Sequence, residues 1–110
     1  MTNVLERTAE TAAVVTLELY DERARRGAAV PGGDGLLIRL RSSGWPFEIP
    51  AGAAAELTYE DGRTVPLAVA NRRAGELLAP GDVPTGKVTA AVRYGQFRLD
   101  WQPFVIAEGA

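Results

Sequence analysis

The hydrophobic and polar positions of this chain alternate with a period of two over most of its length. Ala12 to Tyr20 (AAVVTLELY) places Val15, Leu17 and Leu19 on one side and Thr16, Glu18 and Tyr20 on the other. Such alternation over a β-branched segment marks a half-buried strand. Leu36 to Arg41 repeats it, with Leu36, Ile38 and Leu40 inward and Arg39 and Arg41 outward. Ala53 to Glu60 turns Ala55, Leu57 and Tyr59 inward, and Arg63 to Ala70 does so with Val65, Leu67 and Val69. Between these two, Asp61-Gly62 predicts a tight type I′ hairpin turn, which needs positive φ at its central residues. Pro66 lacks an N–H to donate and marks the returning strand as an edge.

The remaining segments follow the same logic. Ser42-Ser43-Gly44 turns the chain into Trp45-Pro46-Phe47-Glu48-Ile49-Pro50, whose two prolines exclude a central ladder. This stretch is expected to run as an extended corner, with Trp45, Phe47 and Ile49 capping the core; an exposed sugar-binding platform is the other use of a Trp beside a Pro. Glu76 to Ala79 is a brief apolar element. Lys87 to Tyr94 and Phe97 to Trp101 form a long hairpin about Gly95-Gln96, with Val88, Ala90, Val92 and Tyr94 inward. Phe97, Leu99 and Trp101 continue the alternation, and the inward set then shifts to Phe104 and Ile106, as a β-bulge at Gln102-Pro103 requires. About seven strands at roughly 8–12-residue spacing predict an all-β fold, an antiparallel β-sandwich. Ile38, Leu40, Leu57, Val88, Val92 and Trp101 are the expected core anchors. Residues 12–107 are read as one domain, 1–11 as a flexible N-terminal arm and 108–110 as a C-terminal tail.

Composition narrows the chemistry more than the fold. At 110 residues the chain is large enough to bury a core without cross-links, and it has no cysteine to make them. It also has no histidine, the commonest general base and metal ligand. Its carboxylates fall at strand ends and hairpin tips, without the burial that acid–base catalysis needs. No catalytic, cofactor or metal site is therefore expected. Twelve basic against fourteen acidic residues give a net charge of −2, so no global field draws the chain to nucleic acid. The sequence has neither a signal-peptide layout nor an apolar run that could span a membrane, and an intracellular site of synthesis is expected. Asp21 to Asp34 (DERARRGAAVPGGD) reads as a charged surface loop. Its Arg23, Arg25 and Arg26, together with Arg39, Arg41 and Trp45, are the candidate partner-binding residues. If Arg39 and Arg41 shared a sheet with Arg93 and Arg98, the four would form a basic stripe.

The run from Gly35 to Val69 resembles the Ig-like sandwich modules of tailed-phage baseplate and minor tail proteins. The shared features are the lead-in GDGLLIRLR and the phrase G-x-P-F-x-I-P-x-G-A (Gly44, Pro46, Phe47, Ile49, Pro50, Gly52, Ala53). An Asp61-Gly62 hairpin and P-T-G-K-V-T-A-A-V (Pro84 to Val92) complete the pattern. The stalk that follows this module in multidomain members is not seen before Ala110. The resemblance thus implies an immunoglobulin-like antiparallel β-sandwich and a small non-enzymatic virion component of the tail or its tip, made in the host cytoplasm and docked on other virion proteins in a homo- or hetero-oligomeric assembly. A carbohydrate-binding or adhesin module using Trp45 and Tyr20 is the alternative, and a small enzyme on a β scaffold a further rival.

Overall fold

A computed structural model describes residues 13–19, 28–30, 35–81 and 83–108. They form ten strands in chain order: β1 (Ala13–Glu18), β2 (Ala28–Ala29), β3 (Leu36–Ser42), β4 (Trp45–Pro46), β5 (Ala54–Tyr59), β6 (Thr64–Asn71), β7 (Glu76–Ala79), β8 (Gly86–Tyr94), β9 (Phe97–Asp100) and β10 (Phe104–Ile106). Among the described residues there is no helix, and so none long and apolar enough to cross a membrane. The strands make one mixed sheet in the order β1-β3-β7-β6-β5-β8-β10-β2, with β4 beside β3 and β9 beside β8.

The all-β class is as the alternation predicts, but the sheet is not wholly antiparallel. β1 runs parallel to β3, from Ala13 opposite Leu36 to Glu18 opposite Arg41, and β2 runs parallel to β10. A parallel pair needs a crossover, because a hairpin would reverse the chain. Of the Asp21 to Asp34 stretch, expected to be a loop, the described Ala28–Ala29 form a strand at the other end of the sheet.

The inward faces carry the predicted core. Ile38, Leu40, Leu57, Val88, Val92 and Trp101 are all buried. Leu17, Leu36, Ile49, Leu77, Phe104 and Ile106 join them in one cluster. Glu76–Ala79, brief in sequence, is a central strand between β3 and β6. Leu78 faces Leu37 on the opposite side of the sheet, where both are buried in a second, smaller cluster with Ala70. This part of the sheet is therefore apolar on both faces.

β6 is not an edge strand over its whole length. Its first half pairs with β5 and its second with β7, the latter beginning at Ala68. Pro66, opposite Glu56, precedes that second ladder, so its missing donor falls where β6 has a neighbour on one side alone.

Turn chemistry differs from expectation at the strongest sequence signal. Gly62 has φ +90°, but Asp61 has negative φ, which excludes type I′. Gly62 N donates to Tyr59 O (3.0 Å) and Tyr59 N to Arg63 O (2.8 Å), the arrangement of a longer loop ending in a left-handed glycine. The two-residue turn with positive φ at both positions is instead Ser43-Gly44 (φ 54° and 83°), between Ser42 and Trp45.

Candidate functional site

The curled sheet is tied shut at one place. Leu19, just past β1, forms a bridge to Trp101. Trp101 N donates to Ala90 O (2.9 Å), while its indole Nε1–H donates to Arg41 O (3.0 Å). Phe47 meets the indole edge-on at 4.8 Å between ring centres. Gln102, buried despite its polarity, accepts Glu18 N–H at its Oε1 (2.7 Å) and donates its own N–H to Glu18 O (3.3 Å). The bulge expected at Gln102-Pro103 makes this possible. Asp100 lies opposite Ala91 and Phe104 opposite Val88, so four steps on one strand match three on the other. The extra residue turns both Trp101 and Gln102 toward the seam.

Gly75 supports the same corner. It has φ +65°, and its carbonyl accepts Leu40 N–H at 2.7 Å. A Cβ there would meet Phe47 O, and Leu40 O at 2.7 Å, so only glycine lets the β6–β7 turn close against the Phe47 segment.

Beyond this seam stand the hairpin tips. Four successive antiparallel pairings separate β3 from β8 along the sheet, so the two run in the same sense and their turns leave from the same end. Trp101 links both strands through Arg41 and Ala90. At that end Trp45 is 75% exposed, Phe97 74% and Tyr94 51%. The expectation that Trp45 caps the core is therefore corrected. The Ser43-Gly44 turn returns the chain beside Ser42, which places Trp45 past the last core layer, and Phe47 and Ile49 pack inward alone. Tyr94 and Phe97, also expected inward, pair with each other at the far end of the β8–β9 hairpin, where no facing strand covers them. Alternation located their side of the strand correctly; how far the hairpin overshoots the core is set by tertiary packing.

The candidate arginines are not brought together. Arg23, Arg25 and Arg26 lie outside the described residues, as do the 1–11 arm and Tyr20. Arg39 Nε donates to Glu76 Oε2 at 2.7 Å, and Arg41 Nη1 to Gly44 O at 2.9 Å. Arg98 bonds Asp100 (2.9 Å), Glu56 (3.2 Å) and Thr58 (2.8 Å), with Arg93 3.7 Å from Glu56. This network lies across Ala91, which is buried on the outer face between Glu56 and Asp100. β3 and β8 are separated by three strands and each of these arginines but Arg41 has a carboxylate, so no basic stripe forms.

At the opposite end, an open depression of about 300 Å³ is lined by Thr58, Tyr59, Glu60, Lys87, Thr89 and Pro103. Lys87 Nζ is 3.9 Å from Glu60 Oε1, the one carboxylate there, and both are exposed. Burial pushes the Tyr59 phenol above its ordinary value, against the Arg63 guanidinium over its ring, and its hydroxyl donates to Pro84 O (2.6 Å). Asp61 is held below the usual carboxylate range, first by the Arg63 backbone N–H and also by its guanidinium.

Gln102, Tyr94 and Phe97 had no sequence signal as site residues, since a lone Gln beside a Pro and aromatics in an alternating strand read as ordinary strand chemistry. No protein-family model matches the chain, and comparison with curated proteins gives no match.

Proposed function

We propose that this chain is a non-enzymatic structural component of a phage virion, a minor tail or tail-tip protein that docks on neighbouring subunits. The observation that carries this reading is the exposure of Trp45, Tyr94 and Phe97 at one end of a closed β module. Aromatic side chains left in water on a well-packed scaffold are the anchors of protein contacts. The resemblance of Gly35 to Val69 to tail modules supplies the biological setting. In this reading the curled sheet is an Ig-like sandwich. β1, β3, β7 and the end of β6 make one leaf; the start of β6 with β5, β8, β9, β10 and β2 makes the other. Support comes from the split pairing of β6, whose two halves serve different neighbours. The arm at residues 1–11 and the 21–34 segment are assigned to neighbouring subunits, and no cofactor is required.

Light scattering of the purified chain with and without residues 1–11 tests the reading. A defined oligomer that dissociates on truncation supports it, and a monomer in both forms counts against it. The 75% exposure of Trp45 also favours a second reading, a carbohydrate-binding module. Glycan-array binding lost in Trp45→Ala is its test.

A further inference from the structure

The hairpin-tip end combines two features that point beyond subunit contact. Its apolar side chains, Trp45, Tyr94 and Phe97, stand on two separate hairpins instead of one continuous face. The β6–β7 turn at the same end carries exposed Arg72 and Arg73, which form no ion pair among the described residues. Glu48 is the exposed acid beside them, in the segment whose Ile49 N–H donates to Arg72 O at 2.8 Å. In a chain of net charge −2, this end of the sheet holds Arg41, Arg72 and Arg73 against Glu48 and Glu18, and the Glu18 carboxylate accepts Gly44 N–H at 3.3 Å. It thus carries a small positive excess at the same end as three exposed aromatics.

We propose that this end docks on an anionic lipid bilayer. Trp45, Tyr94 and Phe97 enter the boundary between headgroups and acyl chains, and Arg72 and Arg73 take the lipid phosphates. Trp and Tyr rings favour that boundary because one edge is apolar and the other hydrogen-bonds. A lipid surface conforms around separate hairpin tips, whereas a protein partner needs a matching cleft for each. Basic side chains add attraction to anionic headgroups that falls off within a Debye length. The chain enters β1 at Ala13, opposite Leu36 and so at the other end of the sheet. An attachment made there leaves the tips facing away; the exposed aromatics then meet a lipid surface in place of the neighbouring subunits proposed above, and subunit assembly is left to that other end.

Co-sedimentation of the full chain with vesicles is the test. One set is pure phosphatidylcholine, the other equimolar phosphatidylcholine and phosphatidylglycerol, each at low and high salt. The expected result is binding to the charged vesicles, weakened by salt, with tryptophan emission shifting to the blue. That shift is lost in Trp45→Phe, because the remaining Trp101 is already buried. Arg72→Glu/Arg73→Glu should weaken binding by about thirtyfold or more, since each near-surface arginine contributes roughly a fivefold factor. Trp45→Ser/Phe97→Ser should weaken it as well. All four positions are exposed, and circular dichroism checks that each variant folds. Deleting residues 1–11 should leave vesicle binding unchanged even where it alters oligomeric mass. Equal binding to both vesicle types, or no loss in the charge-reversed variant, overturns the proposal. A blue shift that appears without vesicles and with a rise in mass also overturns it, in favour of protein contact.

Discussion

The two tryptophans of this chain have opposite fates. Trp101 is 1% exposed, hydrogen-bonded through its indole to Arg41 O, and packed against Phe47. Trp45, four residues from Arg41 in sequence, is 75% exposed on the other side of a two-residue turn. Both occur beside strands in alternating segments. What separates them is whether a facing strand lies across the sheet at that height. β1, β3 and β8 converge on Trp101, and none of them extends over Trp45. The seam and the tips thus divide the work. One closes the module, and the other presents side chains that contribute nothing to closing it.

Removing the seam should cost most. Trp101→Ala deletes the largest fully buried side chain and leaves Arg41 O without its indole donor. Chemical denaturation should show a loss of about 3–5 kcal/mol. Gly75→Ala comes next, because a side chain at φ +65° is strained and its Cβ meets Leu40 O at 2.7 Å. A loss of about 1–3 kcal/mol is expected, with the midpoint shifted and the slope unchanged.

The surface network sharpens the contrast. Arg98 bonds three partners, but it is 39% exposed at the side chain and its Asp100 partner 50%. Arg98→Ala should therefore cost no more than about 1 kcal/mol, and less in high salt. The smallest effect is at the Asp61 hairpin. Its carboxyl is held below the usual range, chiefly by the Arg63 backbone N–H, so the stabilisation is complete above the ordinary carboxylate value near about pH 4 and fades as pH falls through the depressed one. Asp61→Asn should remove that part of the acid limb of a thermal-denaturation profile and lower neutral-pH stability by the same small amount, so that the wild-type and variant curves meet in acid.

Strand placement and core identity were legible because side-chain period depends on local chemistry alone. Leu36, Ile38, Leu40, Leu57, Val88 and Val92 all read inward and are buried. Even the bulge before Phe104 showed in the shifted alternation. Pairing was not legible. The parallel run of β1 on β3 depends on a crossover whose composition, rich in Arg, Ala and Gly, reads as a plain loop. Asp61-Gly62 suggested the wrong turn because the dipeptide suits both a two-residue turn and a longer loop with a terminal left-handed glycine. The candidate surface was half legible. Trp45 stood out as a Trp beside a Pro, yet its exposure follows from how far the β3–β4 turn reaches past the core, which no local pattern encodes. Tyr94 and Phe97 were misplaced for the same reason.

The most direct test is tryptophan fluorescence with acrylamide quenching on the wild type and on Trp45→Phe, followed by their denaturation curves. Trp45→Phe should remove the red-shifted, readily quenched emission, leave a blue, protected signal from Trp101, and change stability by no more than about 0.5 kcal/mol. A quench-resistant signal lost with Trp45, or a destabilisation above about 2 kcal/mol, would place Trp45 in the core and contradict the division between seam and tips.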